Sequence, residues 1–419
     1  MTSSLRLIAF LMILVLCVPA FSIVWAPLDG QTAVELEMSG YGYLVSFRYG
    51  FLAAFAALFL FPRSLMRATL QVPWLLLALG AWLLFTVLWA LDPIDSLFHS
   101  VVLMTFIVAA IYLVEITPGD GALRGLWLVS LSIVLLAILL GLAQSAYGLM
   151  AGSHAGLWRG IFVHKNHFGL FLSFFFVWTV LSGPLLSRRM RLFGCAAALV
   201  CLVPVGSASA VALTASGLCA GFLVRWLSLG RISGSVSLTS SLVIFVVGLA
   251  CIAMTFEILV GALNRDVSLT GRTELWGAAL DAGLQQFWGF GYRSGGGEDV
   301  LIQMRLQSGW MVAPSTHNGY LTLLLDGGFV ALVLWCLWQL SVWVNAVLSR
   351  RYSVTYKSLI TGFTAIFALN GFVDSVSTAY PSYGLFLLLL VWGTAQKEAR
   401  RSSVATAQSP RPFFIATPA

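Results

Sequence analysis

Apolar runs recur from one end of the chain to the other, for example "VVLMTFIVAAIYLV" at 101–114, the centre of a longer segment. A hydrocarbon core about 30 Å thick takes about 20 apolar residues of helix, and within it every backbone polar group must be satisfied inside its own segment. That restricts the chain to an all-α, polytopic membrane protein. Only 9% of the 419 residues are charged, against about 25% in a soluble domain. Hydropathy places twelve spanning segments, each roughly 18–25 residues, near 5–26, 46–62, 72–91, 96–115, 123–148, 167–186, 192–206, 208–228, 237–262, 318–347, 357–375 and 379–396. Residues 1–396 then form one transmembrane bundle, and 397–419 a disordered cytoplasmic tail. The first segment follows Arg6 and is read as an uncleaved helix; the weaker reading is a signal peptide ending near Val18-Pro19-Ala20. The six cysteines all fall in apolar runs, which argues against a disulfide framework or a zinc site.

Charge orients the bundle. Sixteen of the 23 Lys and Arg fall on one set of alternate loops and seven on the other; the richer set is cytoplasmic, so both termini lie inside. A net charge of +7 is thereby explained without nucleic acid. Six of the seven outer cations sit in just two loops, about 149–166 and 263–317. Positive charge is disfavoured there, and the second loop is long enough to suggest function. An anionic ligand on the outer face accounts for both.

The outer loops carry the candidate chemistry. In 272–287, "RTELWGAALDAGLQQF", Trp276, Leu280, Leu284 and Phe287 recur at helical spacing, with Glu274, Asp281, Gln285 and Gln286 between them. This predicts a short amphipathic helix on the outer membrane surface, with Thr270 as N-cap. Arg272 stands in its first turn, where free backbone N–H groups and a guanidinium fork suit a phosphate or diphosphate; the plainer reading is an interfacial Arg paired with Glu274. Arg159, His164, Lys165 and His167 put four basic groups in nine residues before a spanning helix. They fit anion binding better than a metal site, for which no acidic partner lies nearby, or simple interfacial anchoring. His317 precedes a further span. At a helix N-terminus its ring is neutral and able to take a proton, with Asn318 orienting it or bonding a substrate hydroxyl; a capping His–Asn without chemistry is the alternative. Asp326 lies roughly 12 Å deeper at 1.5 Å per residue. It must face the bundle and find a partner, and Gly327-Gly328 beside it allows a close crossing or a kink. Two arginines, a lysine and a neutral histidine suit displacement of a lipid-linked diphosphate by an incoming hydroxyl.

"GRTELW" and "GFGY" (271–276, 289–292), followed by "STHNGYLTLLLDGGFVALVLW" (315–335), resemble the O-antigen ligase and polysaccharide polymerase superfamily. "GIFVHKNHFG" (160–169) and "QSGWMVAPSTHNGYL" (307–321) resemble its exopolysaccharide polymerase branch. The resemblance implies a GT-C-like, metal-independent, inverting glycosyltransferase of about twelve helices in the bacterial inner membrane, active on the periplasmic face and needing no cofactor. Its donor would be an undecaprenyl-diphosphate-linked oligosaccharide. The acceptor would be another glycan repeat (polymerase) or lipid A core (ligase), and a chain-length regulator and export machinery would be partners. The family's essential His matches His317 and its diphosphate-binding Arg matches Arg272; Arg159 is the best match for a second Arg. His164, Lys165, Asn166, Glu274, Asn318 and Tyr320 fall in the same motifs and would contact substrate. One departure stands out: many members carry an Arg in a Ser-rich stretch where this chain reads "VPVGSASAVALTAS" (203–216), so Arg159 or Lys165 must substitute. The rival from another class is a transporter of a polyanionic or lipid-linked substrate, with Asp326, Asn370 and Asp374 coupling ions.

Overall fold

The structure is a computed structural model that describes residues 2–20, 22–23, 41–151, 154–230, 236, 239, 272–293, 297–308, 316–373 and 380–408. These residues form fourteen α-helices and no strand. In chain order they are α1 (Thr2–Ala20), α2 (Tyr41–Leu58), α3 (Pro62–Gln71), α4 (Trp74–Phe85), α5 (Pro93–Ile116), α6 (Gly121–Leu142) and α7 (Lys165–Leu181). The second half holds α8 (Arg188–Val205), α9 (Ala208–Leu229), α10 (Arg272–Gln285), α11 (Gly297–Ser308), α12 (Gly319–Leu348), α13 (Val354–Val373) and α14 (Tyr383–Gln408).

Four described helices, α5, α6, α9 and α12, are long and apolar enough to cross a membrane. A fifth candidate is the pair Arg48–Leu58 and Pro62–Gln71, bent by 107°. The hydropathy count of twelve is therefore larger than what these criteria find among the described residues, and the segment at 237–262 lies outside them. The departures have local causes. The expected span 46–62 ends at Leu58, and Pro62, which starts α3, turns the chain away. The span at 72–91 resolves into α4 and a 3₁₀ turn over Thr86–Trp89. Large apolar side chains face outward in rows, as Leu128, Leu135, Leu139 and Leu142 do along α6. In water such a row is a liability, whereas against lipid it is the required surface.

Without a hydrophobic drive between helices in lipid, close packing relies on small residues. Helices α9 and α13 show this. Gly217 and Gly221 form a small-xxx-small pair, and a Cβ on Gly221 would stand 2.9 Å from the Ser358 carbonyl. On the facing helix a Cβ on Gly362 would stand 2.8 Å from the Gly217 carbonyl. The backbones touch, which seats α7 against both. Helix α5 runs through the middle of the first half, with Phe106, Ile107, Ala110 and Tyr112 fully buried or nearly so.

Candidate functional site

The site grows from the start of α12. Asn318 is the N-cap: its side-chain oxygen accepts from the backbone N–H of Tyr320 (3.0 Å) and Leu321 (3.1 Å). The sequence put His317 at this terminus; the structure moves the cap to Asn318 and leaves His317 one residue outside the helix. Asn318 thereby holds the helix end with its oxygen, and only its amide nitrogen remains to meet a substrate hydroxyl. His317 adopts φ 48, the left-handed region, where a residue with a Cβ is held only by its surroundings. Those surroundings are firm. Thr316 and Asn318 on either side are 3% and 5% exposed. The Thr316 hydroxyl accepts from Asn318 N–H (3.2 Å) and shares a hydrogen bond with the Thr322 hydroxyl at 2.7 Å. Tyr320 donates its hydroxyl to the Ala368 carbonyl on α13 at 2.9 Å.

Helix α10 forms within the helix expected at 272–287, with Arg272 as its first residue. Thr270, the expected cap, lies outside the described residues. Glu274 is exposed in the first turn, where a carboxylate suits the helix dipole. The helix is apolar on two sides, not one. On one side Leu275, Ala278 and Ala279 are buried with Met304 of α11 and Leu325 of α12. The predicted stripe faces the other way, with Leu280 43%, Leu284 66% and Phe287 50% exposed, as a helix lying on lipid requires. Trp276, one turn after Arg272, donates its indole N–H to the Thr316 carbonyl at 2.9 Å. The helix that begins with Arg272 is thus pinned to the residue preceding His317. Periodicity reads Trp276 as one more apolar position and conceals this bond.

Below His317, α12 is broken. Gly328 has φ 68 and ψ −169, so the chain leaves the helix and re-enters it. The freed carbonyls are taken up by the segment after α10. Phe290 N–H donates to the Leu325 carbonyl (2.7 Å), Gly291 N–H to that of Asp326 (3.0 Å), and the Trp82 indole to that of Gly327 (2.6 Å). In return, Phe329 N–H donates to the Phe287 carbonyl at 2.9 Å. Non-helical backbone is tolerated at membrane depth only when re-satisfied in this way. Asp326 is fully buried and accepts a short hydrogen bond from the Tyr380 hydroxyl. This supplies the partner its depth demands. The Arg293 guanidinium lies 4.8 Å over the Tyr380 ring. Of the groups proposed for ion coupling, Asn370 is buried and Asp374 lies outside the described residues.

The other basic loop is differently used. Arg159 is 0% exposed. It donates to the carbonyls of Phe162 (2.7 Å), Leu149 (3.1 Å) and Ala146 (3.4 Å). Burial pulls its pKa down to about 10, so it stays charged at neutral pH. An arginine so placed ties its own loop together, and it would have to release those carbonyls before gripping a diphosphate. The His164 ring caps α7, accepting from Asn166 N–H at 3.2 Å. Lys165, 3% exposed, donates to the Gly206 carbonyl at 3.2 Å. Gly206 closes α8 in the left-handed conformation, so the ammonium sits at the negative end of that helix. Asn166 accepts from the Ser207 hydroxyl at 3.2 Å. The motif at 164–166 is therefore docked on the Ser-rich stretch that lacks the relatives' Arg, and Lys165 is the cation that reaches it. His164 and His167 have ring centroids 6.4 Å apart, and no three His, Cys, Asp or Glu among the described residues group to hold a metal.

The described helices thus form an apolar all-α bundle in which the helix beginning at Arg272 is pinned, through Trp276, to the residue before His317 at the start of a broken helix. Residues 193–336 match the family model described as O-Antigen ligase. Over 340 residues, 75% of this chain and 75% of the relative, the sequence is 24% identical to the exopolysaccharide production protein ExoQ of Rhizobium meliloti (strain 1021). Together these matches support an O-antigen ligase/polymerase-like family, and the chain is a glycosyltransferase-type polysaccharide polymerase or ligase.

Proposed function

We propose that this protein polymerises undecaprenyl-diphosphate-linked glycan repeats at the periplasmic face of the bacterial inner membrane. In this reading Arg272 grips the donor's diphosphate with a bidentate fork at the start of α10. His317 removes the proton from the acceptor sugar's hydroxyl. That oxygen attacks the anomeric carbon in line, the bond from that carbon to the diphosphate oxygen breaks, and the configuration inverts. The negative charge released passes to the diphosphate beside Arg272, and the proton on His317 returns to water or to the leaving group. Arg159 supports its loop from within; Lys165, seated on the Ser-rich stretch, is the candidate second cation and would have to release the Gly206 carbonyl to reach the diphosphate.

The observation that carries this reading is the hydrogen bond from Trp276 to the Thr316 carbonyl, at 2.9 Å. It fixes the Arg272 helix against the segment holding His317, as a transfer needing leaving group and base in register requires. Polymerisation is favoured over ligation to lipid A core by the "HKN" motif at 164–166 and by the likeness to a relative named for exopolysaccharide production. A chain-length regulator and an export system are the partners such a polymer needs. The test is polymer production by a deletion strain complemented with His317→Ala or Arg272→Lys, with membrane abundance measured alongside. Both variants are expected at wild-type abundance, His317→Ala without polymer and Arg272→Lys severely impaired. Wild-type polymer from His317→Ala would remove the general base from the account.

A further inference from the structure

Helices α10 and α11 enclose a groove of 380 Å³. Its size lies within the roughly 300–1,000 Å³ of small-ligand sites, but its chemistry is unlike that of the diphosphate grip. Among the described residues, the polar groups lining it are Asp281, Gln285, Gln286, Gln303 and Gln307, and none of the lining residues is Lys or Arg. Four primary amides offer donors and acceptors together, which matches hydroxyl groups and not a phosphate. The lone carboxylate disfavours an anionic ligand further. Phe290 and Met304 also line it, giving an apolar patch of the kind the C–H face of a sugar ring covers.

The groove is held open by rigid neighbours. Phe290 is fixed by its N–H to the Leu325 carbonyl (2.7 Å) and by Leu91 N–H to its own carbonyl (3.2 Å). Met304, 2% exposed, belongs to the apolar cluster joining α10, α11 and α12. Asp281 lies nine residues along α10 from Arg272, hence roughly 13 Å at 1.5 Å per residue. A glycan whose diphosphate sits at Arg272 therefore has sugars within reach of the groove.

We infer that the groove between α10 and α11 is a subsite for an uncharged oligosaccharide, holding sugar residues away from the reacting carbon through the amides of Gln303, Gln307 and their neighbours. This rests on the reading of Arg272 and His317 given above, and names the part of the substrate which that reading leaves unplaced. It makes the site selective for neutral over acidic repeats.

The test uses the full-length protein in lipid nanodiscs. The probe is the neutral oligosaccharide repeat, free of phosphate and lipid, released by mild acid from the host strain's own polymer. Binding is followed by saturation-transfer NMR and titration calorimetry. The wild type should bind it. The double variant Gln303→Leu/Gln307→Leu, at two exposed positions, should bind about tenfold more weakly, a loss of about 1.4 kcal/mol, with unchanged thermal unfolding. Arg272→Ala should bind the neutral probe as the wild type does. No binding by the wild type, or wild-type affinity in the double variant, would overturn the subsite. So would loss of probe binding in Arg272→Ala, because the sugar would then be held at the diphosphate end. Polymer formation by Arg272→Ala is measured separately: its persistence would remove Arg272 as the diphosphate grip and leave the sugar subsite standing.

Discussion

At the scale of single residues, three cations that look alike in the sequence have three different situations. Arg159 is buried on three carbonyls, Lys165 sits at the end of α8, and Arg272 opens a surface helix. Arg159→Ala strands those carbonyls, at about 1–3 kcal/mol for each one left unsatisfied. The variant is therefore expected to lower the thermal unfolding temperature and the membrane abundance. If Arg159→Ala keeps wild-type stability but loses polymer, the arginine contacts substrate after all. Trp276→Phe should do the reverse. It keeps the packing but removes one hydrogen bond of about 0.5–1.5 kcal/mol, so folding should change little while the turnover rate falls as His317 loses its brace. An unaltered rate would uncouple the Arg272 helix from His317. Some of this was legible in the sequence. An Asx residue before an apolar run marks a helix start, and the structure shows Asn318 in that role. The use of Arg159 was not, because a basic loop residue reads the same whether it faces water or its own backbone. Nor could periodicity reveal that Trp276 reaches a carbonyl 40 residues away.

At the scale of elements, the break in α12 and the segment 287–291 form one device. Gly328 and Gly289 both have positive φ, and a Cβ on either would run into the backbone of the other segment. Only glycine meets both demands. Gly328→Ala is expected to cost more than the roughly 1–3 kcal/mol of a strained backbone position, because the Phe287 carbonyl must also move aside. A drop in unfolding temperature together with loss of polymer is the outcome anticipated; an Ala variant as stable as the wild type would mean that the two segments do not interlock. The Gly-Gly pair already suggests a kink in the sequence, and Asp326 announces its need for a partner. The partner, Tyr380, lies 54 residues further on, a distance that local patterns do not cover. The helix expected over 272–287 forms over Arg272–Gln285. Its second, buried face was missed because Ala278 and Ala279 are weak apolar signals and Leu275 stands off the stripe of Trp276, Leu280 and Leu284.

At the scale of the whole molecule, the apolar runs dictate an all-helical membrane bundle, and the described helices agree in kind. Four of them, or five if the bent pair Arg48–Leu58 and Pro62–Gln71 is one span, are long and apolar enough to cross a membrane among the described residues, and Gly319–Leu348 remains one span despite its break at Gly328. The charge asymmetry of the loops is the ground for the proposal that the basic loops, α10 and His317 face the periplasm. The central claim, that this face joins lipid-linked glycans through His317 and Arg272, is tested most directly by reconstitution. Purified protein in liposomes would receive undecaprenyl-diphosphate-linked oligosaccharide repeats and lipid A core, with and without EDTA, and the products would be separated on a gel. The account predicts a ladder of lengthening glycan, unaffected by EDTA and absent with His317→Ala. A single shifted band of lipid A core would make the protein a ligase, and movement of intact donor between leaflets with no covalent product would contradict the account.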